Sequence, residues 1–167
     1  DQPFIGLAVS GGHTSLYHVK ELGNYEVLGS TLDDAAGEAF DKFGKMLGLG
    51  FPGGVKIDQL AKAGNSKAYD FPRGMIKEDN YLMSFSGLKA SGQRMAESLS
   101  AEEIAKNMND LCASYQEAIV DVLITKLNRA VAKLGIKNVI ITGGVSANSR
   151  LRARAEEWAR SKKIQLM

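Results

Sequence analysis

The hydrophobic period of this chain switches from a strand pattern to a helical one near residue 34 and back to a strand pattern near residue 138. Those two switches restrict the fold more than any other feature, because a period-2 segment and a helical segment cannot exchange roles. Before the first switch, runs at 4–9, 15–20 and 25–28 are separated by Ser10-Gly11-Gly12 and by a turn at Gly23-Asn24. Short turns between three such runs predict an antiparallel meander. After the switch, Ala36, Ala39, Phe40, Phe43, Met46 and Leu47 recur at three- and four-residue spacing. This is the stripe of an amphipathic helix, which Asp33 or Asp34 can cap and Gly48-Leu49-Gly50 can end.

A second short helix through Ile57, Leu60 and Ala61 follows Phe51-Pro52-Gly53-Gly54. Residues 65–82 read as irregular loop, 86–98 as a helix, and 101 to about 134 as one long helix. Ile104, Met108, Leu111, Tyr115, Ile119 and Val122 are its core stripe. Past the second switch, Val139-Ile140-Ile141 is apolar on both faces, as a central strand is. It breaks at Gly143-Gly144, a helix starting near Ser146 turns Leu151, Ala155 and Trp158 inward, and 164–167 read as a last strand.

The order predicts an α/β fold, a mixed sheet flanked by helices, organised as one unit. Its parts are a meander over 4–30, helices over 34–134, and strand-helix-strand over 138–167. Both ends run into elements, so the chain is expected to be truncated at both, a portion of a longer protein. With 44% hydrophobic residues it can bury a core, which excludes a disordered chain. No apolar run is long enough to span a bilayer, so no membrane partner is expected. The formal charge of +2 neither demands nor excludes an RNA partner. The lone Cys112 has no partner for a disulfide or a metal site, and suits a reducing, cytoplasmic setting.

Chemistry concentrates at two glycine turns on strand ends, Ser10-Gly11-Gly12-His13-Thr14 and Thr142-Gly143-Gly144-Val145-Ser146. Glycine corners let backbone N–H groups approach an anion, and the second turn feeds a helix N-terminus. Asp34, Glu38 and Asp41 are spaced to share one helix face beside Ala35-Ala36-Gly37, and carboxylates beside a nucleotide accept ribose hydroxyls or hold a metal. His13, beside a glycine turn, is the better functional histidine, and His18 reads as strand surface. Ser86 and Lys89 stand three apart at a helix start, with Lys89 read as a charge for phosphate or a surface residue. Arg150, Arg152, Arg154 and Arg160 make the last helix basic, either as a solvated, ion-paired face or as an RNA contact.

In order and spacing these motifs resemble one family over nearly the whole chain. Leu7-Ala8-Val9-Ser10-Gly11-Gly12-His13-Thr14 is similar to the substrate loop of the TsaD family. Asp33-Asp34-Ala35-Ala36-Gly37-Glu38-Ala39-Phe40-Asp41-Lys42 resembles its acidic helix start, and Phe51-Pro52-Gly53-Gly54 its Y-P-G-G turn with Phe for Tyr. Ser84-Phe85-Ser86-Gly87-Leu88-Lys89 and Gly143-Gly144-Val145-Ser146-Ala147-Asn148 complete the set. The resemblance implies a lobe of the actin-like and sugar-kinase ATPase fold, also called ribonuclease H-like. It also implies transfer of a threonylcarbamoyl group from its adenylate to N6 of the tRNA adenosine following the anticodon.

By position, Ala8, Val9, Ser10, Gly11, Gly12, Asp41, Gly54, Asp58 and Asn148 would contact ATP or the adenylate. The Fe2+ or Zn2+ ion implied for the family would have its ligands outside this chain. The implied partners are tRNA, the modification proteins TsaB and TsaE, and a second copy in a homodimer. The same resemblance implies that these residues alone lack catalytic activity. Other readings are a non-catalytic nucleotide-binding or scaffold module, a metalloprotease, and a small-molecule kinase of the same superfamily. The protease reading lacks an H-E-x-x-H motif.

Overall fold

A computed structural model describes residues 2–167. The three N-terminal strands β1 (Phe4–Val9), β2 (Thr14–Glu21) and β3 (Asn24–Ser30) form the antiparallel meander. On the other side of β1 lies β4 (Asn138–Thr142), parallel to it, and then β5 (Gln165–Leu166), parallel to β4. The sheet order is therefore β3-β2-β1-β4-β5. It is a mixed sheet with β1 at the centre, and Ile5, Leu7 and Val9 are fully buried. The β2–β3 turn is tighter than Gly23-Asn24 suggested. Asn24 already pairs with Glu21, so the turn is Leu22-Gly23, with Gly23 at a φ of +81°.

Between β3 and β4 run α1 (Ala36–Met46), α2 (Gly53–Ala61), α3 (Ser86–Ser98), α4 (Ala101–Lys106) and α5 (Met108–Leu134). A 3-10 turn (Gly144–Ala147) and α6 (Ser149–Lys162) separate β4 from β5. The single helix expected over 101–134 is in fact two. Ser100 and Glu103 cap α4 reciprocally, at 3.1 and 3.0 Å. Asn107 then turns its side chain back to the Glu103 carbonyl at 2.9 Å, an alternative to continuing the helix. The hydrophobic spacing runs on across this break, so periodicity could not reveal it.

The core centres on a stack of Phe43 from α1 against Tyr115 from α5, with ring centroids 3.8 Å apart. Phe71, from the irregular segment, meets both rings edge-on. That segment is held although it has no regular structure. Arg73 pairs with Asp121 at 2.8 Å, and the buried Lys126 ammonium donates to the carbonyls of Glu78 and Asn80 at 2.9 and 3.0 Å. Burial pushes Lys126 below the usual lysine range, and these acceptors are what make its charge tolerable there. Trp158 packs inward from α6 and donates its ring N–H to Asn128 at 2.8 Å. Among the described residues no helix is long and apolar enough to cross a membrane.

Candidate functional site

Because β1 and β4 are parallel neighbours, Val9 and Thr142 end at the same edge of the sheet, and both glycine turns emerge there together. The first turn closes on itself. Ser10 Oγ accepts the amide of His13 at 3.0 Å, and the Ser10 amide donates to the His13 carbonyl at 2.8 Å. The second turn is wedged against the first strand. Gly143 has a φ of +98°, and a Cβ there would sit 2.1 Å from the Val9 carbonyl oxygen. Gly37 at the start of α1 is equally confined, since a Cβ would lie 2.5 Å from the Ser10 carbonyl, to which its amide donates. Thr14 Oγ1 accepts the Ala36 amide at 2.8 Å and completes this seam.

The turns and the first residues of α1 and α2 enclose a cavity of about 440 Å³. That is the size of ordinary small-ligand pockets. Gly11 and Gly144 line its rim, and in both cases a Cβ would meet nothing within 4 Å. Phe40, Val55 and Val145 supply an apolar wall, and Asp41, Asp58 and Asn148 supply the polar groups. Asp41 Oδ1 accepts the amides of Gly53 and Gly54 at 3.0 and 3.4 Å, while its other oxygen has no hydrogen bond to a described residue. Asp58 accepts the amide and the hydroxyl of Ser149 at 2.9 and 2.7 Å, joining α2 to the start of α6. Asn148 caps α6 by accepting the Leu151 amide at 2.9 Å.

Of the nine residues singled out from the sequence, Gly11, Asp41, Gly54, Asp58 and Asn148 line this one cavity. Ser10 and Gly12 build the adjoining turn, and Ala8 and Val9 lead into it from β1, the Val9 side chain being buried in the core. The acidic face expected on the first helix is divided. Asp33 and Asp34 precede α1 and neither caps it. Asp33 instead caps α3, accepting the amides of Phe85 and Ser86 at 2.8 and 3.1 Å and the hydroxyls of Ser84 and Ser86 at 2.6 and 2.8 Å. Burial pushes its carboxyl up, but those four hydrogen bonds outweigh it and hold the group below its ordinary value. Asp34 pairs with Lys89 at 2.9 Å, so Lys89 faces a carboxylate and not the cavity.

Arg150 and Arg154 form the ion-paired face of α6. They stand one turn apart, share Glu117, and bind α6 to α5, with Arg154 also on Asp121. Arg152 and Arg160 line a larger cavity of about 630 Å³ between α6 and the β4–β5 edge, walled by Ile141, Ala155 and Ile164. No glycine turn opens onto it except through Ser146 and Ala147, so size does not select it as the site. His13 lies exposed on the first turn, and His18 meets Glu26 at 3.2 Å. Among the described residues no three His, Cys, Asp or Glu side chains converge to hold a metal. Burial pushes the Cys112 thiol up to about 12, which leaves it an inert core residue. Sequence reasoning missed Gln116, which is buried in α5 and accepts from Asn148 Nδ2 at 2.7 Å. A lone amide inside an apolar stripe was the available signal.

The chain matches the family described as TsaD, tRNA N6-adenosine threonylcarbamoyltransferase, over residues 1–167. A protein of that name from Bdellovibrio bacteriovorus is 66% identical over 160 residues, covering 96% of this chain and 46% of its own length. Another, from Geotalea uraniireducens, is 49% identical over 164 residues, covering 98% of this chain and 48% of its own length. The chain thus spans about half the length of the curated relatives it matches. Among solved structures, full-length HypF in its phosphate- and nucleotide-bound form superposes with a TM-score of 0.74 at 14% identity. That match covers 99% of this chain and 36% of HypF, and at this identity it speaks for the fold alone. The fold is the α/β mixed sheet with helices expected of an actin-like lobe.

Proposed function

The chain belongs to the TsaD family, and we propose that it supplies the adenylate-binding half of an enzyme that transfers a threonylcarbamoyl group to N6 of the tRNA adenosine following the anticodon. The observation that carries the reading is the cavity that Gly11 and Gly144 of the two glycine turns line together with Asp41 and Asp58. In that reaction the N6 amine attacks the carbamoyl carbonyl. A C–N bond forms, the C–O bond to the phosphate breaks, the amine loses a proton, and AMP departs. The amides around Gly11, Gly12 and Gly144 hold the phosphate and stabilise the charge that grows on it as AMP leaves. Asp41 and Asp58 keep unused lone pairs toward the ribose hydroxyls. Gly54 lines the cavity beside Asp41, so the sugar lies against the start of α2.

Among the described residues no three His, Cys, Asp or Glu side chains converge to hold a metal, so no step is assigned to one. The iron or zinc ion implied by the family resemblance would be held by ligands elsewhere in the longer protein. We place the protein in the cytoplasm with tRNA, TsaB and TsaE as partners. The test incubates the whole protein with these partners, threonylcarbamoyl-adenylate and tRNA lacking the modification. Modified adenosine should form, and Gly11→Val should abolish it. Product formation indifferent to Gly11→Val would sink the reading. Residues 1–167 alone should bind AMP without turnover.

A further inference from the structure

We propose that Gln116 is a positioning residue that anchors the side-chain nitrogen of Asn148 at the cavity, holding Asn148 as a donor toward the bound base. The inference rests on the adenylate reading above and concerns a residue that touches no ligand itself. The geometry leaves little choice of orientation. The Leu151 backbone N–H can only donate, so the Asn148 atom facing it at 2.9 Å must be Oδ1. The amide nitrogen therefore faces α5, where it meets Gln116 at 2.7 Å. A nitrogen there can only donate, so the Gln116 atom it meets must be Oε1. One backbone amide thus dictates, through two side-chain amides, which atom stands where.

Both residues are buried, Gln116 with 4% and Asn148 with 8% of its surface exposed, so a reversed amide would leave two like groups facing each other without water. Asn148 has two amide hydrogens, and Gln116 takes one. Asn148 also lines the cavity, which leaves its second N–H as the polar group it can present there. A donor at that point selects a ring-nitrogen acceptor and rejects a base that offers a hydrogen instead. Without the Gln116 acceptor, the Leu151 cap still fixes Oδ1 but Nδ2 loses its anchor, so the amide plane can swing about the cap and the selection weakens although Asn148 is still present.

The experiment measures affinity for AMP and for its 1-deaza, 3-deaza and 7-deaza analogues, each lacking one ring acceptor, in the full chain. For the wild type one analogue should bind about fivefold or more weakly than AMP, the worth of one neutral hydrogen bond. Gln116→Met should compress that ratio toward one while binding AMP. Gln116→Glu, which keeps an acceptor oxygen, should restore it. A purely structural role would weaken all four ligands alike and leave the ratio unchanged, and that result would overturn the proposal. A second measurement needs no variant. One Asn148 side-chain amide hydrogen should be protected from exchange in the free wild-type chain, and the second should gain protection when AMP is added. Rapid exchange of both in the presence of AMP overturns the proposal. Failure of AMP to bind at all overturns the adenylate reading first, and this inference with it.

Discussion

The two glycine turns stand side by side and use glycine for opposite reasons. At Gly11 and Gly12 a side chain would meet empty space, and neither residue has a left-handed φ. At Gly143 the backbone sits at +98° and a Cβ would overlap the Val9 carbonyl. The first turn, like Gly144, has open space where a ligand can come, whereas Gly143 is needed for what already touches it. Glycine pairs that look alike in a sequence can thus separate into a ligand-facing pair and a structural wedge.

Among the glycines of the two turns, that contrast makes Gly143→Ala the most damaging change. Left-handed strain and overpacking against β1 together should cost about 2–5 kcal/mol, read as a drop in the urea unfolding midpoint. A variant with the wild-type midpoint would show that the wedge yields freely, and the contrast would collapse. Gly11→Val should behave in the opposite way. Its unfolding free energy should stay within about 1 kcal/mol of the wild type, while AMP affinity falls at least about tenfold. Retained affinity in the folded variant would remove the phosphate from this turn.

Smaller effects separate the carboxylates. Asp41→Asn should cost about 1–3 kcal/mol of AMP binding, and less for an analogue lacking both ribose hydroxyls. Asp58→Asn should also lower stability, because Asp58 accepts two hydrogen bonds from the start of α6. Equal losses for both ligands would place these groups in the scaffold only. Asp33 lies outside the cavity and should register only in acid. Its folded-state pKa is lowered, so the stability it contributes is complete above its ordinary value of 3.8 and lost as pH falls through the lower folded value. Wild type and Asp33→Asn should therefore converge in stability below about pH 4. AMP affinity at neutral pH should be the same in both. A gap that widens on acidification would reverse the assignment.

Much of the fold was legible because the strand and helix periods are local properties. The meander, the α1 stripe and the buried β4 run all announce themselves within a dozen residues. The break at Asn107 did not, because it depends on one side chain competing for a carbonyl while the apolar spacing continues. The site divides in the same way. Glycine turns are readable where they stand, but Asp33, Asp34 and Asp41 look equivalent in the sequence and face three different partners in the fold. Their assignment depends on α3 and α2, which no helical-wheel argument can place. Gln116 was hidden for a related reason, since its partner enters from the far end of the chain.

The pairing of Ile5 with Val139 also has a consequence for how this site comes into being. The meander can close as soon as its own residues leave the ribosome, but β4 cannot join β1 until all five intervening helices have been made. Contacts this distant in sequence form late and slowly. The pocket is therefore acquired late, and a chain made only as far as α5 has no weakened version of it. Nucleotide binding should report completion of the sheet, and AMP should favour the finished state over every earlier one by mass action.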